Sequence, residues 1–160
     1  MSEPFRHIVV AYDGSMQARI ALDRAIDLAR SGSSRLSIIT VYQPPTVWIA
    51  GPSIGPSGAL EAAQDEGKKA LNDLMLGAVR HAKERGVSDV RGEFFQGHPA
   101  EAILTYADTE HADLVVMGSR GLSAAPRLLL GSVSDAVVHH ARVAVLVVRP
   151  SPGGPTGSGR

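Results

Sequence analysis

Hydrophobic positions along this chain change period several times, and each change marks an element. Ile8-Val9-Val10-Ala11 is a short, β-branched apolar run ending at the turn cluster Asp13-Gly14-Ser15, and it predicts a buried strand followed by a turn. The period then becomes helical. Ala18, Ala21, Leu22, Ala25, Ile26 and Ala29 share one face, Arg19, Asp23, Arg24 and Asp27 lie mostly off it, and Ser31-Gly32 ends the helix. Residues 36–42 (Leu-Ser-Ile-Ile-Thr-Val-Tyr) predict a second strand. From Gln43 to Gly58 the chain is rich in Pro and Gly without useful periodicity, as in a binding loop or lid. Helical spacing returns from Ala59 to Arg85 through Leu71, Leu74, Met75, Ala78 and Ala82, and Gly86 supplies the stop. Gly67 and Gly77 each weaken that helix by about 1 kcal/mol relative to Ala.

The second half repeats the alternation. Residues 90–95 predict a third strand, Gly97-His98-Pro99 turns the chain, and Pro99 suits the first position of a helix whose Ile103, Leu104 and Ala107 face inward. Leu114-Val115-Val116-Met117 is wholly apolar, as expected of a parallel strand buried on both faces. A glycine-bracketed stretch leads to a short helix from Ser132 to about His140. A fifth strand runs over residues 143–148, from Val143 to Val148. The unit is expected over residues 1–149, with residues 150–160 a disordered tail rich in Pro, Gly and Ser. Strands alternating with helices predict right-handed crossovers and an α/β fold: an open, doubly wound parallel sheet with helices on both faces. In such sheets ligands bind beyond the carboxyl ends of the strands, near the point where strand order reverses.

Composition removes other classes. At 160 residues the chain fits one domain. Sixteen Lys and Arg balance sixteen Asp and Glu, which argues against a nucleic-acid binder, since affinity for phosphate backbones needs a cationic excess. The absence of cysteine removes disulfides, thiolate metal sites and a cysteine nucleophile. No apolar run approaches the ~20 residues needed to cross a bilayer, and Met1-Ser2-Glu3-Pro4 does not open a signal peptide. A cytoplasmic protein without membrane association is the expectation.

The informative segment is Gly118-Ser119-Arg120-Gly121 through Gly131-Ser132-Val133-Ser134, of the form G-x2-G-x9-G-[ST]. Its chemistry is anion binding. Gly118, Gly121 and Gly131 let backbone approach a ligand and are expected to adopt positive φ, exposing N–H groups. Ser132, Val133 and Ser134 open a helix, where unpaired N–H groups and the positive dipole end favour phosphate. Arg120 or Arg127 adds charge, and Leu128 to Leu130 anchor the loop to the core. A purely structural alternative makes Ser132 an N-cap in a capping box with Asp135. Asp13, at the neighbouring strand end, can accept hydrogen bonds from ribose hydroxyls or an adenine amine, or can simply form an Asx-turn. The adjacent His139 and His140 are read as rim or core residues rather than metal ligands. There is no G-x4-G-K-[ST] P-loop, no G-x-G-x-x-G after the first strand and no acidic residue ending the third.

These signatures, with Asp13-Gly14-Ser15 and Gly97-x-Pro99, resemble the universal stress protein family over about residues 5–149, and the glycine motif resembles its ATP-binding branch. The resemblance implies five strands in the order 3-2-1-4-5. It implies adenine near Ala11, Asp13, Val41 and Met117, and Gly118 near the ribose. Phosphates would be held by Arg120, Gly121, Gly131, Ser132, Val133 and Ser134. It also implies a homodimer formed by antiparallel pairing of the last strands, Val143 to Val148. The family often has Cys-Pro entering that strand, where Val143-Ala144 stands here.

The expected function is therefore an ATP-binding regulatory or stress-response protein: a dimeric nucleotide-sensing module with slow or no hydrolysis, acting on an unidentified protein partner. No carboxylate cage is evident, so Mg2+ or Mn2+ would be held through the ATP phosphates and water. Two alternatives stay open: a slow ATPase or phosphotransferase, motivated by the two arginines, and a dimeric interaction protein whose nucleotide is incidental.

Overall fold

The computed structural model describes residues 5–44, 57–121 and 130–150. The elements run β1 (His7–Ala11), α1 (Met16–Gly32), β2 (Arg35–Tyr42), α2 (Ser57–Glu84), β3 (Val90–Gln96), α3 (Pro99–Thr109), β4 (Leu114–Gly118), α4 (Ser132–His140) and β5 (Ala144–Val148). The strands form one sheet in the order β3-β2-β1-β4-β5, every neighbouring pair parallel. This is the expected doubly wound order. The apolar runs of β1 and β4 occupy its buried interior, and the less apolar β3 lies at an edge.

Strand alternation divides the core into two layers. Ile8 and Val10 of β1 and Val116 of β4 face α1 and α2, packing against Leu22, Ala25, Ile26, Ala78 and Ala82. Val9, Ile39, Val115 and Met117 face α3 and α4, packing against Ile103, Ala107 and Val137. A period of two in the strands and 3.6 in the helices thus resolves into two buried layers sharing one sheet.

Several boundaries differ from the sequence expectation, most by a single residue. Helix α1 includes Gly32, and the left-handed cap falls on Ser33 (φ 53°), whose N–H reaches back to the Ala29 and Arg30 carbonyls. Helix α2 starts at Ser57, so the expected loop is shorter at its end. Strand β5 starts at Ala144 rather than Val143. Residues 45–56 of that loop, Arg127, Leu128, Leu129 and the tail from Ser151 lie outside the described residues. Helix α3 begins at Pro99, and Gly86 takes φ 96° after α2, both as expected.

Candidate functional site

Strand order reverses between β1 and β4, and the two chain segments leaving those strands build the site. Beyond β1, Tyr12 N–H donates to the Ile39 carbonyl at 2.8 Å, while Thr40 Oγ1 donates to the Tyr12 carbonyl at 2.9 Å. These bonds hold the exit of β1 against β2. Asp13 Oδ1 then accepts from Ser15 N–H at 2.9 Å, closing an Asx-turn. Gly14 sits at φ 80°, in the left-handed region where a side chain is strained. Ser15 caps α1 by accepting from Ala18 N–H at 3.2 Å. The turn chemistry anticipated for Asp13 is present, and it fixes the carboxylate at the mouth of the crevice.

Beyond β4, Ser119 is the strut. Its N–H donates to the Val148 carbonyl at 2.9 Å. Its carbonyl accepts from Gly131 N–H at 2.7 Å and from Ser134 Oγ, also at 2.7 Å. The two ends of the glycine segment are thereby pinned together beside β5. Ser119 is 2% exposed, so these bonds are shielded from water. Sequence reading assigned Ser119 no role, because its contribution is a buried backbone carbonyl that any residue would carry.

The start of α4 corrects one expectation. The N-cap is Gly131 (φ −74°, ψ 166°), and no side chain caps the helix. Ser132 is its first helical residue, so the Ser132–Asp135 capping box does not form. Ser134 turns its hydroxyl back to Ser119 and to the Gly131 carbonyl at 3.0 Å. The amides of Ser132, Val133 and Ser134 therefore open α4 without a competing side-chain acceptor. That arrangement favours an anion.

The expected positive φ at Gly118, Gly121 and Gly131 is also corrected. Among the described glycines only Gly14, Gly86 and Gly97 adopt it. Space, not backbone handedness, demands glycine at two positions of the motif. A Cβ on Gly118 would lie 2.9 Å from the Gln17 backbone carbon, where α1 crosses β4. A Cβ on Gly121 would lie 2.7 Å from Asp13 Oδ2. Gly118 thus permits helix–strand contact, and Gly121 lets the loop lie against the Asp13 carboxylate.

Ala11, Asp13, Val41, Met117, Gly118, Arg120, Gly121, Gly131, Ser132, Val133 and Ser134 all line one cavity of about 430 Å³. That volume falls within the few hundred to 1,000 Å³ of small-molecule sites. Its apolar lining is Ala11, Ile39, Val41, Ile103 and Met117, and its polar lining includes Asp13, Arg120, Ser132 and the first residues of α4. Tyr12, Ala18, Ile39, Gln43, Pro99 and Ile103 also line it and were not anticipated. The period of two linking Ile39 to Val41, and the helical spacing of Pro99 and Ile103, carried a usable signal. Exploiting it required knowing which face α3 covers.

His139 and His140 are exposed and bond through Nδ1 to the Asp135 and Ala136 carbonyls of their own helix. They are surface residues that line neither described cavity. No group of three or more His, Asp or Glu that could hold a metal occurs among the described residues. Nor is any helix among them long and apolar enough to cross a membrane.

The fold and cavity define a doubly wound α/β protein with an anion-ready turn at the switch point of its sheet. The model of the universal stress protein family matches residues 4–149, and the chain belongs to that family. A Thermus aquaticus relative, "Universal stress protein in QAH/OAS sulfhydrylase 3'region", is 37% identical over 145 residues, covering 91% of this chain and 99% of its own. Universal stress protein UspA from Lactobacillus plantarum shares the fold. Its TM-score is 0.81 at 24% identity, with 92% of this chain and 100% of that one covered. A universal stress protein solved in complex with cAMP gives a TM-score of 0.69 at 29% identity, covering 91% of this chain and 98% of its own.

Proposed function

We propose that this chain is an ATP-binding regulatory protein of the stress response, a dimeric nucleotide-sensing module with slow or no hydrolysis. The observation that carries the reading is the mixed lining of the cavity, which joins the apolar Ala11, Ile39, Val41, Ile103 and Met117 to Arg120 and the start of α4, whose amides no side chain caps. A purine fills the slot beside Ala11, Val41 and Met117. Asp13 and Gly118 flank the ribose. Arg120, Gly121, Gly131, Ser132, Val133 and Ser134 hold the phosphates. The cAMP complex of a relative 29% identical supports an adenine nucleotide as the ligand.

The donors present suit such a ligand. Backbone amides, a guanidinium and a hydroxyl match phosphate oxygens. Asp13 is the only carboxylate among the described lining residues, so Mg2+ or Mn2+ would be held chiefly by the phosphates and water. Slow or absent hydrolysis follows from the same inventory, which offers Asp13 at the ribose side and no other carboxylate or imidazole as a base. Dimerisation belongs to this reading too. β5 is an edge strand with Ala144 and Leu146 exposed, suited to antiparallel pairing with its copy. The cytoplasm is the compartment this reading assigns.

Titration calorimetry of nucleotide-free protein with ATP, ADP, AMP and cAMP tests it. ATP should bind most tightly, and Gly131→Val should abolish binding while the circular dichroism spectrum is preserved. Equal ATP affinity in the two proteins would remove the glycine turn from the site. Light scattering at micromolar concentration should give a dimer that Leu146→Lys converts to monomer.

A further inference from the structure

A buried histidine that the nucleotide cavity does not use sits at the opposite end of the sheet. His7 opens β1 and is 5% exposed, and Ser37 of β2 is fully buried. His7 Nδ1 lies 3.1 Å from the Glu110 carbonyl, and Nε2 lies 2.8 Å from Ser37 Oγ. The Tyr106 hydroxyl donates to the same Ser37 oxygen at 3.1 Å. Tyr106 is half-buried and packs edge to face on Phe95, with ring centroids 5.7 Å apart. Both rings line a second cleft, of about 570 Å³, between the end of β3 and α3, and it shares no lining residue with the nucleotide cavity. A chain of hydrogen bonds thus runs from His7 to the wall of this cleft. Because Ser37 is closed to any substrate, the Ser37–His7 pair is not a nucleophile and its base.

The donor and acceptor inventory fixes the direction of each bond. A carbonyl only accepts, so Nδ1 carries a hydrogen in either charge state of His7. In the neutral ring Nε2 is then an acceptor: Ser37 donates to it, and Tyr106 donates to Ser37. When the ring is protonated, Nε2 becomes a donor. Ser37 Oγ accepts from it and turns its own hydrogen to the Tyr106 oxygen. The Tyr106 hydrogen is displaced and left for water or an acceptor in the cleft. Both arrangements keep His7 and Ser37 fully hydrogen-bonded, so charging the ring orphans neither of them.

The charged groups around the chain come from four elements. The Asp113 carboxylate, just before β4, accepts from the Arg6 and His7 amides at 2.8 Å each. Glu110 ends α3, and Arg35 stands opposite His7 in the β2 register, paired with Asp89 at 3.1 Å. Burial pushes the Tyr106 hydroxyl above its ordinary pKa against the pull of the Ser37 bond; Glu93 and Glu110 add to the rise and Arg91 opposes it. Tyr106 therefore keeps its hydrogen throughout the range in which histidines change charge, about pH 5–8.

We infer that His7, Ser37 and Tyr106 form a proton-operated switch, in which protonation of His7 reverses the chain and turns the Tyr106 hydroxyl from a donor to Ser37 into a donor toward the cleft. The inference stands apart from the nucleotide reading, since no member of the chain lines that cavity.

The test is an NMR titration of nucleotide-free protein from about pH 8 to about pH 5, following the His7 ring nitrogens and the Tyr106 Cζ resonance. Neutral His7 should carry its hydrogen on Nδ1, and the Tyr106 resonance should step at the His7 midpoint. His98 also lines the cleft, with its side chain exposed, so His98→Gln should leave the step in place. Ser37→Ala should abolish the step while His7 still titrates. Should that variant not fold, the wild-type and His98→Gln titrations decide alone. A neutral His7 protonated on Nε2, a His7 that stays uncharged until acid unfolds the chain, or a Tyr106 resonance blind to the His7 midpoint overturns the inference. Loss of the step in His98→Gln overturns it too, as does its survival in Ser37→Ala, which would mean a charge effect through space.

Discussion

Two cavities flank α3, and they have opposite chemistry. On one side Pro99 and Ile103 help line a cavity whose polar end is built from backbone amides and Arg120. On the other, Glu101, Thr105 and Tyr106 line a cleft that His98 and Glu110 also line and that holds no Lys or Arg. One helix can serve both because side chains three and four residues apart share a face, so adjacent residues are delivered to different neighbours. The two sites also differ in what makes them. The first is positive through main-chain groups held by a fold, and no single side chain would abolish its potential. The second is negative through two side chains, and removing them removes its character.

Four further expectations sharpen this contrast. The largest concerns the main-chain site. Gly131→Val should reduce ATP affinity by more than a hundredfold, while the Glu101→Gln, Glu110→Gln double variant should change it less than twofold. Calorimetry on both proteins measures the asymmetry directly. Comparable losses in the two would merge the cavities into one site.

Next comes the packing beneath the first cavity. Gly118→Ala would place a methyl group against the backbone of α1 at Gln17. Crowding of this kind costs about 1–3 kcal/mol. A lower urea midpoint with unchanged slope is expected, together with weaker ATP binding as the carboxyl end of β4 shifts. A stability equal to wild type would show that α1 yields without cost.

Ser134→Ala should have a smaller effect. It removes the hydroxyl that ties α4 to the Ser119 and Gly131 carbonyls. A buried hydrogen bond of this kind contributes about 1 kcal/mol. The Gly131 N–H bond to Ser119 survives the change, so ATP affinity should fall only modestly. Thermal unfolding and calorimetry together separate the two effects.

The smallest effect belongs to the second cleft. Burial and the nearby carboxylates hold the Tyr106 proton more tightly in the folded chain than in the unfolded one. The associated stability is present below the ordinary tyrosine range and is lost as pH climbs through the raised value. The difference in urea midpoint between wild type and Tyr106→Phe should therefore shift against wild type as pH rises above about 10. A difference constant from pH 8 to pH 11 would mean that Tyr106 titrates alike in both states.

The first cavity was legible because its residues follow the strands that hold them. Asp13 comes two residues after β1, and the glycine segment joins β4 directly to α4. A local pattern of strand, turn and helix therefore named every residue that Ala11, Asp13 and the motif contribute. The second cleft had no such signature. Phe95 and Tyr106 meet only because β3 lies at the edge of the sheet and α3 packs against the same face. Neither spacing nor residue type announces that meeting. The motif's glycines were legible as glycines but not as to cause: Gly118 and Gly121 answer to Gln17 and Asp13, neighbours distant in sequence.

The sequence alone determined the alternation of elements, the doubly wound class and the glycine-bracketed turn between β4 and α4, because hydrophobic period and turn chemistry are local properties. Tertiary structure decided the rest. It placed the N-cap on Gly131 by turning Ser134 toward Ser119, and it joined Ile39, Pro99 and Ile103 to the first cavity. It also set Glu101 and Glu110 beside two aromatic rings. Such facts depend on which faces meet across the sheet, and strand order fixes those encounters only when the whole chain has packed.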